Sequence, residues 1–318
     1  MRETSMRANT DWFRDAKWGV FMHWLATMHR PGCTVDEWNA MVDAFDVDGL
    51  ANQLAAAGAG YLFFTVGQID GFYACPNEAY DRIVGIQPSK CSRRDLVSDL
   101  SDALAPEGIR LLVYLPAEPP YLDQEAVAKF PWVREPKNQK QAEFQTMWEG
   151  VIRDFALRWG TKISGWWFDG CYYATDMYRH PEPPNFASFA AAAKAGNPQA
   201  LVAFNQGVHT PVKPQSAFED YTAGEISDAF PVWQGYDNLP GRFVGGAQYH
   251  ILSYLAGKWG YDNPRFPDEF VIGYTKHVNQ HEGVVTWDVP NTPGGLIREP
   301  FMNQLTALGR ALGTIRRT

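Results

Sequence analysis

Side chains able to carry acid–base chemistry recur in this sequence directly after short apolar runs. The segment SGWWFDG, residues 164–170, places Asp169 behind Trp166, Trp167 and Phe168. Burying an unpaired ionised carboxylate is costly, so Asp169 either lies where a strand opens into a cleft or caps a turn. In the first position a carboxylate can act as a nucleophile on an anomeric carbon.

The elements that would position these side chains alternate along the chain. Apolar runs typical of buried strands are separated by segments with helical spacing. In chain order they include strands at 18–24, 60–66, 109–116 and 162–170 and helices at 46–59, 93–108 and 140–160. About eight such repeats predict a single α/β domain over residues 1–318, a (β/α)8 TIM-type barrel that is irregular between 205 and 265.

In such a barrel the carboxyl ends of the strands meet at one face, where the loops carry the chemistry. Strand alternation puts Trp167 on the same face as Asp169, in the barrel interior below it. The polar and aromatic residues that end the predicted strands are His23, Trp24, Gln68, Asp70, Glu118, Asp169, Asn205, Gln206 and Asp288. This set of carboxylates and amides favours acid–base or nucleophilic catalysis.

A retaining glycosidase needs a second carboxyl group about 5 to 5.5 Å from the first. The segment FEDYTAGEISD, residues 218–228, offers Glu219, Asp220 and Glu225. Spacing alone does not choose among these three acids.

Metal chemistry has weaker support. His277 and His281 are four residues apart on a predicted helix but lack the HExxH pattern. The four cysteines are widely spaced and form no CxxC pair. We therefore predict no metal site and no disulfide framework.

Composition excludes several classes of protein. The chain has 318 residues and a net charge of −8 without a basic cluster, which argues against nucleic acid as a partner. No apolar run reaches the ~18 residues of a membrane helix, and the start lacks a secretory apolar stretch, so we expect a cytoplasmic protein. Aromatic residues make up 14% of the chain, which fits either a large aromatic core or a cleft that stacks sugar rings.

Several segments resemble the α-L-fucosidases of glycoside hydrolase family 29. The matching segments, in the family's order, are DWFRDAKWGVFMHW, DEWN, TVGQIDGFYAC, GWWFDG, DYTAGE, KWGY and VVTWDVPNTPGG. The resemblance implies that Asp169 is the nucleophile and Glu225 the acid/base, with Glu219 as the alternative. It also implies that His23, Glu37, Trp38 and Trp259 contribute to the sugar-binding subsite, with no cofactor.

The sequence also departs from the family pattern. Gln68 and Ile69 stand where the family has two adjacent histidines, and Gly207 stands where an arginine is expected after the fifth strand. A site built to bond particular hydroxyls discriminates steeply against sugars that lack them, so we expect altered sugar specificity. The β-sandwich that usually follows the family's barrel is expected to be absent.

The leading hypothesis is a retaining exo-α-glycosidase for an L-fucose-like or related sugar, with a carbohydrate substrate bound by His23, Trp24, Glu37, Trp38, Gln68, Asp70, Trp167, Asn205 and Trp259. The main alternative is a catalytically inactive glycan-binding barrel of the same family. A barrel enzyme of another reaction, such as an aldolase, rests on fold analogy alone, because no lysine ends a predicted strand in a Schiff-base position. The sequence predicts neither the linkage nor the oligomeric state.

Overall fold

The computed structural model describes residues 7–173, 179–231 and 239–315. Its strands, in chain order, are β1 (Trp18–Met22), β2 (Tyr61–Thr65), β3 (Arg110–Pro116), β4 (Gly165–Asp169), β5 (Leu201–Phe204), β6 (Phe243–Val244), β7 (Ala247–Gln248), β8 (His250–Tyr254), β9 (Ala256–Lys258), β10 (Tyr261–Pro264) and β11 (Val284–Asp288). Seven of them form one sheet in the order β5-β4-β3-β2-β1-β11-β8. The remaining four pair as two short antiparallel ribbons.

All neighbouring strands of the seven-stranded sheet run parallel. Parallel strands require crossover connections, which the helices between them supply. The helices are α1 (Asp11–Ala16), α2 (Ala26–His29), α3 (Val35–Asp43), α4 (Val47–Ala57), α5 (Glu78–Val84), α6 (Leu96–Leu104), α7 (Gln124–Val127), α8 (Ala142–Trp159), α9 (Phe186–Ala193), α10 (Asp268–Gln280) and α11 (Glu299–Leu312), with a 3-10 turn at Gly160–Lys162. The predicted parallel sheet with intervening helices is confirmed.

The side chains of the sheet divide between two apolar clusters. One cluster, inside the curved sheet, includes Phe21, Phe63, Tyr114 and Trp167. The other lies between the sheet and the helices and includes Trp166 and Phe168. The alternation predicted for the GWWFD strand is therefore confirmed, and Trp167 lies in the interior layer below the carboxyl end of β4.

The segment 219–226 lies between the two edge strands of the sheet. On one side the Asp220 N–H donates to the carbonyl of Val202 in β5 (2.8 Å). On the other side Leu252 of β8 donates to Gly224 (2.8 Å) and accepts from Ile226 (3.1 Å). The segment follows the edges without forming a regular strand, since Gly224 has a φ of +70° and packs against the backbone of β8.

The amino-terminal end of the sheet interior is closed by α1. Phe13 is fully buried there and its ring lies 4.8 Å from Tyr61 and 5.1 Å from Tyr221, centroid to centroid. These rings fill the interior at this end, and parallel α/β folds bind their ligands at the opposite, carboxyl ends of the strands. None of the helices in the described ranges combines the length and apolar character needed to cross a bilayer.

Candidate active site

Asp169 is the last residue of β4, and three neutral donors hold its carboxylate. The Tyr114 hydroxyl donates to Oδ2 (2.7 Å), and the Asn205 amide donates to Oδ1 (2.8 Å). The Tyr172 hydroxyl also donates to Oδ1 (3.1 Å). The carboxylate is half-buried. Its three hydrogen bonds explain how so apolar a strand can end in an acid, because the carboxylate is not left without partners.

Asn205 joins Asp169 to a second carboxyl group. Its Nδ2 donates both to Asp169 Oδ1 (2.8 Å) and to Glu225 Oε2 (2.6 Å). The Gly207 N–H donates to Asn205 Oδ1 (3.0 Å), so the amide has its oxygen turned away from both acids. Because one nitrogen bonds both oxygens, at 2.8 Å and 2.6 Å, these two carboxylate oxygens lie no more than 5.4 Å apart, the sum of the two distances.

The surroundings of Glu225 favour its protonated form. Burial, and next the charge of Asp169, raise the pKa of Glu225 to about 7, against the opposing effects of Asn205 and His23. Asp169 and Glu225 thus form a pair in which one acid can carry a proton near neutral pH while the other is held by hydrogen-bond donors. An acid that can hold its proton near neutral pH, beside a carboxylate held by hydrogen-bond donors, suits the roles of acid/base and nucleophile.

Two tyrosines contact Asp169 that the sequence reasoning missed. Tyr114 lies beside Trp167 in the sheet register, with the rings stacked at 5.5 Å. Its hydroxyl also accepts a short hydrogen bond from Gln68, so Gln68 supports the nucleophile candidate through Tyr114. The alternation of side chains along β3 could have indicated Tyr114. Its side chain lies on the interior face with that of Leu112, two residues before the strand ends.

His23 and Trp259 lie on the same side of the site, joined through Asp288. The His23 Nδ1 and Asp288 Oδ1 atoms are 2.7 Å apart, and the Gly260 N–H donates to Asp288 Oδ2 (2.7 Å). The His23 ring lies 5.7 Å from Trp259 and 5.9 Å from Tyr114. The carboxyl end of β11 therefore fixes two of the predicted sugar-binding residues at once.

Glu219 and Asp220 have structural partners. Glu219 is fully buried and accepts from the N–H groups of Phe204, Gln215 and Ser216, although burial raises its pKa to about 8. Asp220 accepts from the N–H groups of Ala8 and Val202 and pairs with Lys194 at 2.7 Å. Both carboxylates thus bind backbone N–H groups of the buried strand β5 and of segments next to it.

The structure buries Trp24 and Trp38, which the sequence predicts to contact the sugar, and those contacts stay predictions. Trp24 is fully buried and donates to the carbonyl of Pro293 (3.1 Å). Trp38 is 1% exposed, donates to the carbonyl of Tyr73 (3.1 Å) and lies 5.0 Å from the Trp24 ring. Both indoles belong to the layer between sheet and helices, because the chain turns away from the interior after β1.

Glu37 and Asp70 serve neighbouring loops. Glu37 completes a capping box with Thr34 at the start of α3 and forms an ion pair with Arg30. Neither contact connects Glu37 to Asp169. Asp70 is buried, accepts from the Thr27 hydroxyl (2.8 Å) and has its pKa raised by burial. Asp70 thus joins the loop after β1 to the loop after β2. The sugar contacts predicted for Glu37 and Asp70 remain predictions.

The remaining candidates have contacts with other residues as well. Glu118 packs against Gly170, and Gln206 donates to the carbonyl of Lys213 (3.0 Å). The His281 Nδ1 is 2.9 Å from the carbonyl of His277, within one helix. Within the described ranges, no group of three or more His, Cys, Asp or Glu side chains is arranged to hold a metal ion.

Comparison with known proteins identifies the family. The family model described as Alpha-L-fucosidase matches residues 33–314. A search of curated proteins found no significant match. The likeness to solved structures is at low identity and concerns the fold.

Three solved structures illustrate that likeness. The family 29 α-L-fucosidase from Bacteroides thetaiotaomicron is 17% identical, with a TM-score of 0.64 over 96% of this chain and 74% of that one. The α-L-fucosidase AlfC from Lactobacillus casei, in complex with α-L-fucose, is 16% identical, with a TM-score of 0.63 over 95% and 98%. The endo-fucoidan hydrolase MfFcnA4 from family 107 is 18% identical, with a TM-score of 0.68 over 95% of this chain.

The chain spans 53% of the length of MfFcnA4. The family model, in contrast, extends over nearly the whole of the described fold and includes both acids that Asn205 bridges. This protein belongs to the α-L-fucosidase family of glycoside hydrolases.

Proposed function

We propose that the protein is a retaining exo-α-glycosidase that removes L-fucose or a closely related sugar. The observation that carries the proposal is the bridge from one Asn205 nitrogen to Asp169 and Glu225. It keeps one oxygen of each carboxyl group within 5.4 Å of the other, which supports the separation of about 5 to 5.5 Å found in retaining rather than inverting enzymes. Inverting enzymes keep a wider gap, about 6.5 to 9.5 Å, which leaves room for a water molecule.

In the first step an oxygen of Asp169 forms a bond to the anomeric carbon as the bond from that carbon to the leaving oxygen breaks. Glu225 gives its proton to the leaving oxygen, so the departing alcohol is neutral and Glu225 becomes a carboxylate. Its pKa of about 7 keeps a large fraction protonated at neutral pH. The product of the step is a glycosyl ester of Asp169.

In the second step the roles reverse. Glu225 accepts a proton from water while the water oxygen bonds to the anomeric carbon and the ester bond to Asp169 breaks. The sugar leaves with the configuration it had in the substrate, and both acids return to their starting forms. We assign the acid/base role to Glu225 rather than Glu219, because the Glu219 carboxylate accepts three backbone N–H groups.

We further propose that the described fold is one closed (β/α)8 barrel in a single domain. The segment 219–226 hydrogen-bonds to β5 on one side and to β7 and β8 on the other, which supports its assignment as the irregular sixth strand. In that arrangement Glu225 occupies the carboxyl end of the sixth strand. Its position would then follow the rule that places barrel chemistry at strand ends.

The experiment that tests the proposal compares two matched aspartate variants on 4-nitrophenyl α-L-fucoside. Asp169→Asn should lower kcat at least about 10³-fold, because it removes the nucleophile. Asp102→Asn, at an exposed ion pair on α6, should retain the wild-type rate. Azide should restore part of the activity of Asp169→Gly by attacking the anomeric carbon and forming a fucosyl azide.

A panel of nitrophenyl glycosides tests the sugar itself. Gln68 uses one N–H of its amide on Tyr114, and Ile69 has no side-chain donor where the family pattern has a histidine. We expect turnover of α-L-fucoside or of a close relative that lacks one matching hydroxyl. Release of monosaccharide alone from an oligosaccharide supports the exo mode. Sugar binding with no turnover of any glycoside would instead support a glycan-binding barrel.

A further inference from the structure

We propose that Tyr172 is a further catalytic residue of this site and that Gly207 is the position that admits it. The proposal rests on the retaining mechanism given above. Tyr172 lies three residues after Asp169, in the loop that follows β4. Gly207 lies in the loop that follows β5, two residues after Asn205.

Tyr172 contacts the reacting carboxylate directly. Its hydroxyl donates to Asp169 Oδ1 at 3.1 Å, the oxygen that also accepts from Asn205. Tyr114, the donor to the other oxygen, is 1% exposed, whereas Tyr172 is 41% exposed. Tyr172 is therefore the donor that reaches Asp169 from the open side of the site, where a sugar must approach.

Gly207 provides the space for this ring. A Cβ atom added to Gly207 would lie 3.3 Å from Cε1, 3.6 Å from Cδ1 and 3.9 Å from Cζ of Tyr172. A longer side chain at 207 would enter the volume that the ring occupies. The φ of +83° at Gly207 also favours glycine, and its N–H orients the Asn205 amide (3.0 Å).

The tyrosine is anchored on its backbone side. Arg179 donates to the carbonyl of Tyr172 (3.1 Å) and, through a short hydrogen bond, to the carbonyl of Cys171. The same guanidinium bonds the side chain of Gln215 in the loop after β5. These contacts join the two loops that carry Tyr172 and Gly207, so the ring is held over the glycine by the protein itself.

The consequence concerns how the nucleophile is supported. Sequence comparison leads to an expected arginine at 207, and here a phenol from the neighbouring loop fills that space. The Asp169 carboxylate accepts hydrogen bonds from three neutral side-chain donors among the described residues, namely Tyr114, Tyr172 and Asn205. Asp169 loses its charge as the glycosyl ester forms and regains it as the ester breaks. A hydrogen bond to a charged group is stronger than one between neutral groups, so the Tyr172 hydroxyl should assist the departure of Asp169 in the second step.

Tyr172→Phe removes the hydroxyl and keeps the ring. We expect kcat on the fucoside, or on the best glycoside of the panel, to fall by about tenfold or more, with KM within about twofold. Tyr173→Phe, at the adjacent exposed tyrosine, is the matched control and should keep the wild-type kcat. Equal thermal midpoints for the two variants would show that the difference does not come from stability.

Gly207→Ala tests the space above the glycine. If it acts by displacing Tyr172, the double variant with Tyr172→Phe should lose no more activity than the stronger single variant. Gly241→Ala controls for backbone strain, because Gly241 has a φ of +80° with no atom within 4 Å of an added Cβ. The control should keep the wild-type rate.

The outcomes separate this proposal from the proposed function. Wild-type kcat in Tyr172→Phe would overturn the role of Tyr172, and additive losses in the double variant would overturn the role of Gly207, even if Asp169→Asn is inactive and azide restores Asp169→Gly. A wild-type protein that turns over no glycoside would overturn both proposals. Loss of kcat in Tyr172→Phe alone, with Tyr173→Phe unchanged, supports the role of Tyr172.

Discussion

The protonation of Glu225 sets the sharpest prediction of the mechanism. An ordinary glutamic acid is only about 0.3% protonated at pH 7, whereas a group with a pKa of about 7 is about half protonated. The difference corresponds to about 3 kcal/mol and a gain of about 150-fold in the acid form. Only the protonated form can assist the departure of a poor leaving group, so kcat/KM should fall as the pH rises above about 7.

The assay compares wild-type protein with Glu225→Gln from pH 4 to pH 9. Kinetics are measured on an unactivated fucoside and on the 2,4-dinitrophenyl fucoside, whose leaving group needs little protonation. For Glu225→Gln we expect a loss on the order of 10²- to 10⁴-fold on the unactivated substrate and a smaller loss in its first step on the activated one. The decline above about pH 7 should disappear in the variant.

Two results would refute this reasoning. A decline above pH 7 that persists in Glu225→Gln would assign the titration to another group. Equal losses on the two substrates would show that Glu225 does not protonate the leaving oxygen. In either case the acid/base assignment would return to the segment 218–228 as a whole.

Other contacts give predictions on activity and stability. Asn205→Ala should shift the alkaline decline in kcat/KM to higher pH, because the Asn205 hydrogen bond lowers the pKa of Glu225; an unchanged or lower midpoint in the pH profile would contradict it. Trp38→Ala should reduce the free energy of unfolding by about 3 to 5 kcal/mol in urea titrations, and a wild-type midpoint would contradict the burial of its indole. Glu37→Ala should lower the thermal midpoint slightly through loss of the capping box while KM stays within about twofold; a large rise in KM would place Glu37 at the sugar site.

The sequence predicted best where periodicity was strict. The GWWFD strand alternates cleanly, so Trp167 in the interior and Asp169 at the strand end followed from a period of two. The same rule applied to β3 would have found Tyr114. A list of residues that follow the strand ends does not include Tyr114, because its hydroxyl extends to the carboxyl end of the sheet from a residue within the strand.

Loop residues were predicted less well, for a physical reason. Trp24 and Trp38 follow β1 closely, but the chain turns outward there and both indoles pack under the helices. The choice among Glu219, Asp220 and Glu225 depended on an irregular segment whose path is set by Gly224 and by hydrogen bonds to distant strands. Tertiary partners of this kind leave no periodic signal in sequence.

The structure shows the contacts made at two positions where the sequence departs from the family pattern. Gln68 contacts Tyr114, and Tyr172 fills the space above Gly207. Two of the changed positions thus take part in the hydrogen-bond network and packing that surround Asp169. Under the proposed mechanism, fewer donors to the sugar would accompany a different set of hydrogen bonds to the nucleophile.

The central claim, that Asp169 is the nucleophile of a retaining enzyme, is tested most directly by trapping the glycosyl ester. The protein is incubated with 2-fluoro-fucosyl fluoride, in which fluorine slows both steps while the fluoride leaving group lets the first proceed. Peptide mapping by mass spectrometry should find one fluorofucosyl group, on Asp169, and none in Asp169→Asn. A label on another residue, or no label on protein that hydrolyses fucosides, would contradict the account.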